Sequence, residues 1–288
     1  MSKTKNRIRE SNLRYRQSLG QHFLYDEALL EALAEAAEIS PDEDVVEIGP
    51  GCGSLTRHLC SHAHRVLSIE LDERLIPLLQ AFMAGDQNFT LLQGDVMRLD
   101  LNRATEELRK PFVVAANIPY YITTPLIQRL LDPALPVSRM ALMVQKEVAE
   151  KILSGPGEEG WGPLAVRCRY YCEAEKVMDV PAACFTPPPK VDSSFVLLRR
   201  RKEPAVPVRS EKDFFRIVGA AFALRRKTML NNLCATFRLD RETAKAWMAR
   251  AGLEERVRGE ALTLGELAAL ADAMEPESAA GGEKGADE

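Results

Sequence analysis

Residues 113–121 run Val113-Val114-Ala115-Ala116-Asn117-Ile118-Pro119-Tyr120-Tyr121, an apolar run that stops in an amide, a proline and two phenols. These groups suit one chemical problem, holding a planar base that carries an exocyclic amine. The Asn117 side-chain oxygen can accept one N–H of such an amine, the backbone carbonyl of Ile118 can accept the other, and Tyr120 offers a flat face to the ring. A strand end followed by a proline turn and a core tyrosine would account for the same four residues. The rest of the chain has to decide.

A second set of polar residues surrounds glycines. Val45–Thr56 reads as a short buried strand, the turn Gly49-Pro50-Gly51-Cys52-Gly53 and a helix start. Glycines there let backbone amides approach a ligand closely. About 20 residues after Gly49, a second strand ends in Glu70, whose carboxylate can accept both hydroxyls of a ribose. Nicotinamide-cofactor sites share this pairing, but their fingerprint is G-x-G-x-x-G. Here the spacing is G-x-G-x-G, with Ser54 in the place of the third glycine. A ligand with ribose and adenine but no pyrophosphate, such as S-adenosylmethionine, needs no phosphate cradle. At the end of the next strand, Asp95 can accept an adenine amine while Val96 packs on the ring; a turn or N-cap aspartate is common, but the strand-end position favours the ligand.

Other conspicuous residues have less to do. Phe185 precedes Thr186-Pro187-Pro188-Pro189, whose extended backbone would hold it rigidly. It reads as a ring opposite Tyr120 that sandwiches a base, or as ordinary core. The glycine-rich segment 155–162 reads as a mobile, substrate-side lid, with Trp161 preferred as an anchor over a stacking residue. His58 and His62 share a helical face, but no carboxylate or thiol at ligand spacing accompanies them or His64. They are taken as surface residues, and no metal is expected.

The elements that must position these groups alternate strand and helix. Strands are expected at 45–48, 65–69, 88–92, 112–118, 139–145, 175–180 and 191–198. Helices are expected at 27–38 (capped by Asp26), at 73–83, from a Thr123 or Thr124 cap onward, from Gln145-Lys146-Glu147 to about 153, and at 163–172. The run 113–118 has the near-continuous apolar character of a parallel strand buried on both faces. It must stop near Pro119, which cannot donate to a ladder. Asn117 and Tyr120 then stand at a strand's carboxyl end, where open α/β sheets bind ligands. After a basic linker at 199–209 only helical patterns follow, at 214–224, 227–237, 242–251 and 264–274. The expected division is a flexible basic arm at 1–16, an α/β domain at 17–200, a helical domain at 201–275 and a disordered tail at 276–288.

The 288 residues are 46% hydrophobic and 28% charged, an ordinary globular balance, and no apolar run is long enough to span a membrane. The basic start has no apolar segment behind it and does not read as a signal peptide. The six cysteines form no C-x-x-C pair, which points to a reduced, cytoplasmic protein. A net charge of −4 argues against a nucleic-acid partner only if charge is spread evenly. It is not. Positive charge gathers in residues 1–20, at Arg199-Arg200-Arg201-Lys202 and at Arg225-Arg226-Lys227, and a phosphate surface needs local charge rather than a positive total.

Asn117–Tyr120 resembles the Asn/Asp-Pro-Pro-Tyr type of motif in enzymes that methylate amino groups of adenine or cytosine. Taken with Gly20–Leu24, Glu47–Thr56, Glu70, Gly94-Asp95-Val96, Phe185–Ser193 and Ala221–Lys227, it makes the chain closely similar, over roughly residues 15–273, to the ribosomal RNA adenine dimethylase family. The likeness is strongest to its bacterial 16S branch. The resemblance implies a Rossmann-like, seven-stranded class I S-adenosylmethionine-dependent methyltransferase domain with a small all-helical C-terminal domain. It implies dimethylation of N6 of two adjacent adenines near the 3′ end of 16S rRNA in the small ribosomal subunit, with a role in ribosome biogenesis; the oligomeric state is not given by the sequence, and a monomer is the default expectation. It places the target base at Asn117, Ile118, Tyr120 and Phe185. The cofactor would lie at His22, Leu24, Glu47, Gly49, Gly51, Glu70, Leu71, Asp95, Val96 and Asn117, and RNA at Arg14, Arg16, Arg225, Arg226 and Lys227. His22 departs from the family's usual Asn, so any cofactor contact there changes in kind, and Trp161 stands where a Tyr is usual. Three rivals share features: a large-subunit rRNA dimethylase, a non-catalytic ribosome-assembly or transcription factor on the same fold, and a nicotinamide-dependent oxidoreductase. The run from Phe185 and the Arg225-Arg226-Lys227 cluster disfavour the first, the intact Asn117–Tyr120 and Glu70 the second, and the glycine spacing the third.

Overall fold

The computed structural model describes residues 21–274. Expectations for the basic arm, for Arg14 and Arg16, for the loop residues before Gln21 and for the tail lie outside the described residues. The chain forms two units. One runs to Leu153 and resumes over Arg167–Glu203. The other combines Ser154–Val166 with the residues from Pro204 onward.

The first unit is a seven-stranded sheet with a two-stranded ribbon. Strand β1 (Phe23–Leu24) precedes helix α1 (Glu27–Ala36), whose Asp26 cap accepts the Leu29 amide at 3.1 Å. Then follow β2 (Asp44–Ile48), α2 (Ser54–His62), β3 (Arg65–Glu70), α3 (Ile76–Phe82), β4 (Phe89–Gln93), the short α4 (Leu101–Ala104) and β5 (Phe112–Asn117). After them come α5 (Thr123–Leu130), β6 (Val137–Gln145), α6 (Lys146–Leu153), α7 (Pro163–Tyr171), β7 (Cys172–Val180), β8 (Phe185–Thr186) and β9 (Ser193–Arg200). The sheet order is β4-β3-β2-β5-β6-β9-β7. The first five strands in that order are parallel, and β9 runs antiparallel to both β6 and β7.

Both central strands, β2 and β5, are buried along their length apart from the terminal Asn117. That is the reason for their continuous apolar character, since helices cover both faces. On one face Leu30 and Leu33 of α1 pack with Met143, Phe195 and Leu197, and a second cluster joins Leu59 and Cys60 to Val45, Val113 and Leu79. The chain leaves β2 for β3 and β4 on one side, and leaves β5 for β6 and β9 on the other. The crevice at this switch lies outside the carboxyl ends of β2 and β5, so the glycine turn and Asn117 face each other across it.

Several boundaries depart from the sequence reading. Helix α3 starts later than residue 73, with Pro77 in its first turn. Strand β7 begins directly after α7, three residues earlier than expected. No threonine caps α5. A single 3-10 turn, Tyr120–Ile122, leads into it, and the Thr123 hydroxyl donates back to the Tyr120 carbonyl at 3.3 Å. The ribbon of β1 and β8, pairing Phe23 with Thr186 and Leu24 with Phe185, escaped notice because two-residue strands carry no periodicity.

The second unit holds α8 (Glu211–Ala223), α9 (Met229–Phe237), α10 (Arg241–Arg250) and α11 (Leu264–Asp272). Ser210, Thr228, Asp240 and Thr263 cap their starts through side-chain oxygens. The segment read as a mobile lid belongs to this unit. Gly157 donates to the Glu260 carbonyl at 2.8 Å, and Trp161, 2% exposed, donates its indole N–H to the Leu262 carbonyl at 3.0 Å and meets Phe222 edge-on. Trp161 is thus an anchor. Among the described residues no helix is long and apolar enough to cross a membrane, and all six cysteines are free.

Candidate active site

A cavity of about 190 Å³ opens at the switch point of the first unit. Its walls include His22, Leu24, Glu47, Gly49, Gly51, Glu70, Leu71, Asp95, Val96, Asn117, Ile118 and Tyr120, residues brought together from the β1 segment and the carboxyl ends of β2 to β5.

Asn117 is the last residue of β5. Its Nδ2 donates to the backbone carbonyl of His22 at 3.0 Å. That bond orients the amide, because only the NH2 end can donate to a carbonyl. Oδ1 is thereby left as an acceptor in the pocket wall. The Ile118 amide donates to the Met143 carbonyl at 3.1 Å, which fixes the peptide that follows. Tyr120 is half-buried, its hydroxyl lies 2.9 Å from Ser193 Oγ, and its ring stacks on His22 with centroids 5.6 Å apart and planes inclined by 26°. Burial pushes the Tyr120 hydroxyl above the usual phenol range, and the nearby Asp192 adds to this against the Ser193 bond, so the group stays protonated.

Glu70 ends β3 and is 6% exposed. The Gly51 amide donates to its Oε2 at 3.1 Å and the Asp72 amide to its Oε1 at 2.8 Å. Each carboxylate oxygen has two lone pairs, so these bonds leave the carboxylate with capacity to accept from a ligand hydroxyl. Burial raises the Glu70 carboxyl above its ordinary value, and these amide bonds oppose the rise. Glu47, in β2, is buried and receives the hydroxyls of Thr56 at 2.7 Å and Ser68 at 2.6 Å on one oxygen, Oε2. Burial lifts it to about 7, against both hydroxyl bonds. Asp95 serves two purposes at once. It caps its own turn through the Met97 amide at 2.9 Å, and it forms part of the pocket wall beside Val96.

The glycine turn has left-handed backbone at Gly49, Gly51 and Gly53. A Cβ on Gly51 would stand 2.7 Å from the Phe23 ring. Side chains are excluded there by both conformation and space, and the Gly51 amide is brought onto Glu70.

Phe185 does not face Tyr120 across the pocket. Its ring is 2% exposed and packs with Leu24, Leu30 and Phe195, because β8 pairs with β1 and turns it inward. The reading as core prevails over the reading as a stacking face. Leu24 shares that cluster while also lining the pocket. The histidines keep company that spacing alone concealed. Glu27 and Glu31 of α1 reach His58 at 3.2 and 2.5 Å, and Asp44 reaches His64 at 2.8 Å. These carboxylates come from other elements and stand at no ligand spacing in the sequence, so spacing alone could not show them. Among the described residues, however, no group of three or more such side chains is placed to hold a metal.

Residues that the sequence reading passed over include Gln21, Asp72, Tyr121 and Ser193. Gln21 donates to Asp72 at 2.8 Å, and the Arg74 guanidinium holds the Asp72 carboxyl down to about 2. Tyr121 lines the pocket while 55% exposed. Its repetition of Tyr120 in the sequence was a visible signal; Ser193 closes the Phe185–Ser193 run, but nothing local tied it to Tyr120. In the second unit, Arg225, Arg226 and Lys227 are exposed in the turn between α8 and α9 rather than on a helix, and Arg225 donates to the Glu159 carbonyl at 3.1 Å.

A sequence model of the family described as ribosomal RNA adenine dimethylase matches residues 12–272. The chain belongs to that family. Among relatives named ribosomal RNA small subunit methyltransferase A, that of Alkaliphilus metalliredigens is 41% identical over 93% of this chain and 95% of its own. That of Clostridium botulinum (strain Loch Maree) is 42% identical over 94% and 98%. A solved dimethyladenosine transferase from Plasmodium falciparum superposes with a TM-score of 0.72 at 26% identity over 86% of this chain and 96% of that one. The 23S rRNA methyltransferase ErmE gives 0.68 at 28% identity over 87% and 98%. The chain is therefore an rRNA adenine dimethyltransferase with a Rossmann-like methyltransferase fold, and S-adenosylmethionine is its cofactor. The pocket lining is compatible with such a molecule: Glu70 supplies a carboxylate with capacity to accept further hydrogen bonds, Leu71 and Val96 add apolar surface, and the positive-φ glycines leave the backbone uncovered.

Proposed function

We propose that this dimethylase acts on the small ribosomal subunit, placing two methyls on N6 of each of two adjacent adenines near the 3′ end of 16S rRNA during ribosome biogenesis. The small-subunit name of relatives about 40% identical over nearly the whole chain supports this choice of subunit over the large-subunit alternative. The observation that carries the chemistry is the Asn117 amide, turned by the His22 carbonyl so that its oxygen is left for an amine.

The N6 lone pair of adenine is delocalised into the ring and is a poor nucleophile. When bound, S-adenosylmethionine supplies a methyl group on a positively charged sulfur. In the first transfer Asn117 Oδ1 and the Ile118 carbonyl would take one N–H each, which favours a more tetrahedral nitrogen with its lone pair directed at the methyl; as the N–C bond forms the methyl–sulfur bond would break and one N–H proton would leave, so the second transfer starts from an amine with a single N–H. Orientation of this kind can contribute ~7–11 kcal/mol in favourable systems. Tyr120 stacks the base, worth ~1–3 kcal/mol. The adenine is unstacked from its RNA to reach the pocket. Glu70 receives the ribose, and Asp95 and Val96 the cofactor adenine. Leu71, Glu47, Gly49, Gly51, Leu24 and the His22 segment complete the wall. The α/β unit does the chemistry, and the helical unit contributes Arg225, Arg226 and Lys227 to the RNA backbone.

The test is transfer from labelled S-adenosylmethionine to small subunits lacking adenine dimethylation, followed by mass spectrometry of the rRNA. Dimethyladenosine at two adjacent positions near the 3′ end is expected. No transfer to these particles, with transfer to naked large-subunit RNA, would overturn the subunit assignment.

A further inference from the structure

Tyr120 lies in a single 3-10 turn, and nothing within three residues of turn determines where a tyrosine ring points. Its orientation is imposed from two distant places. His22, just before β1, covers one face of the ring. Ser193, the first residue of β9, holds the hydroxyl at 2.9 Å. Both holders are themselves immobilised. The His22 ring bonds through Nδ1 to the Pro187 carbonyl at 2.7 Å, and its backbone carbonyl takes the Asn117 amide at 3.0 Å. Ser193 is fully buried and paired in register with Gln145 on one side and Val180 on the other.

The contacts form a closed set. His22 touches the two side chains assigned to the target base, Asn117 through its main chain and Tyr120 through its ring. Residue 22 is thus turned toward the base as much as toward the cofactor. Covering one face of Tyr120 leaves a single face for a base, and anchoring the hydroxyl stops the ring from swinging away on unloading. Because Nδ1 meets a carbonyl, it carries a proton, and the ring is held as a flat plate against Tyr120. An asparagine at this place could keep a hydrogen bond but could not supply the plate.

We propose that His22 and Ser193 are positioning residues that clamp Tyr120, so that it presents one fixed face to the target adenine beside the Asn117 oxygen. The proposal rests on the assignment of Tyr120 as the stacking surface for that base. The clamp acts on the reacting geometry, so its loss lowers turnover rather than cofactor affinity. It also predicts coupling: removing either end of the Tyr120–Ser193 bond removes the same constraint.

The experiment uses the full-length protein and unmethylated small subunits. It measures kcat, KM for the subunit and the Kd for S-adenosylmethionine in Ser193→Ala, Tyr120→Phe, their double variant, His22→Asn and Tyr120→Ala. The two single variants of the bond are each expected to lose about fivefold to tenfold in kcat. The double variant should be no slower than the worse single one, and cofactor Kd should stay within twofold in these three. His22→Asn, which also alters the pocket wall, is expected to lose about tenfold in kcat with a much smaller change in cofactor Kd. A double variant that loses the product of the two single effects, or a His22→Asn variant whose cofactor Kd rises in step with its lost rate, overturns the clamp. Tyr120→Phe keeps the ring and its packing, so the cycle is readable even if Ser193→Ala folds poorly: wild-type kcat in Tyr120→Phe by itself overturns the hydroxyl anchor. Full activity in Tyr120→Ala removes the stacking assignment. Lost activity there, with Ser193→Ala and His22→Asn at wild-type rates, leaves that assignment standing and sinks only the clamp.

Discussion

The carboxamide of Asn117 is the smallest unit on which the chemistry depends, and its use is set by a carbonyl 95 residues away in sequence. Replacing Asn117 with Ala should lower methyl transfer at least about a hundredfold while RNA binding persists, since the loss falls on an interaction realised at the reacting nitrogen. Near-normal transfer in a filter assay would remove Asn117 from the mechanism. Glu70→Ala should weaken S-adenosylmethionine binding about tenfold or more by calorimetry, because two charge-assisted hydrogen bonds are lost. An unchanged Kd would contradict the ribose assignment. Glu47 makes a prediction about stability. Its folded carboxyl titrates near 7 against an ordinary 4.5. Between those values the unfolded chain releases the proton and the folded chain keeps it, so stability falls as pH rises from about 4.5 to about 7 and then levels off. The contribution is roughly 3 kcal/mol. Denaturant unfolding of Glu47→Gln across this range should show that decline removed relative to the wild type.

At the scale of elements, the glycine turn after β2 is held by what surrounds it. Gly51 combines φ of +60° with a neighbouring Phe23 ring that a Cβ would meet at 2.7 Å. Gly51→Ala should cost about 2 kcal/mol in stability through left-handed strain and displacement of Phe23, and should weaken cofactor binding through the shifted Gly51 amide. Parallel thermal melts with and without S-adenosylmethionine would show both effects. An unshifted melt would mean that the turn yields without cost. Elements that were legible in the sequence, such as β2, β5 and α1, carry enough residues for their hydrophobic period to show. The β1–β8 ribbon did not, and with it went the placement of Phe185. A two-residue pairing between segments more than 160 residues apart leaves no local trace.

At the scale of the whole molecule, the chain returns on itself. Ser154–Val166 joins the C-terminal helices, although a domain boundary drawn by composition fell only near residue 200. Trp161 secures that segment inside the second unit. Trp161→Ala should destabilise the helical unit by ~3–5 kcal/mol, seen as faster hydrogen exchange in α9 and α11, with S-adenosylmethionine affinity unchanged. Equal loss of protection in β2 and β5 would mean that the two units unfold as one.

The amino-acid order by itself determined the class of fold, the strand-end address of Asn117 and Tyr120, the acid that ends β3 and the glycine turn. Each is a local matter of period, φ preference or the missing N–H of proline. Family membership followed from the order of those motifs. Only the tertiary structure decided which way the Asn117 amide faces, that Phe185 lies in the core, that His22 and Ser193 hold Tyr120, and that Glu27 and Glu31 meet the His58 side of α2. These are contacts between residues remote in sequence. Their hydrogen bonds and packing arise only when the sheet has set its strand order, and a linear pattern has no term for a partner on another strand.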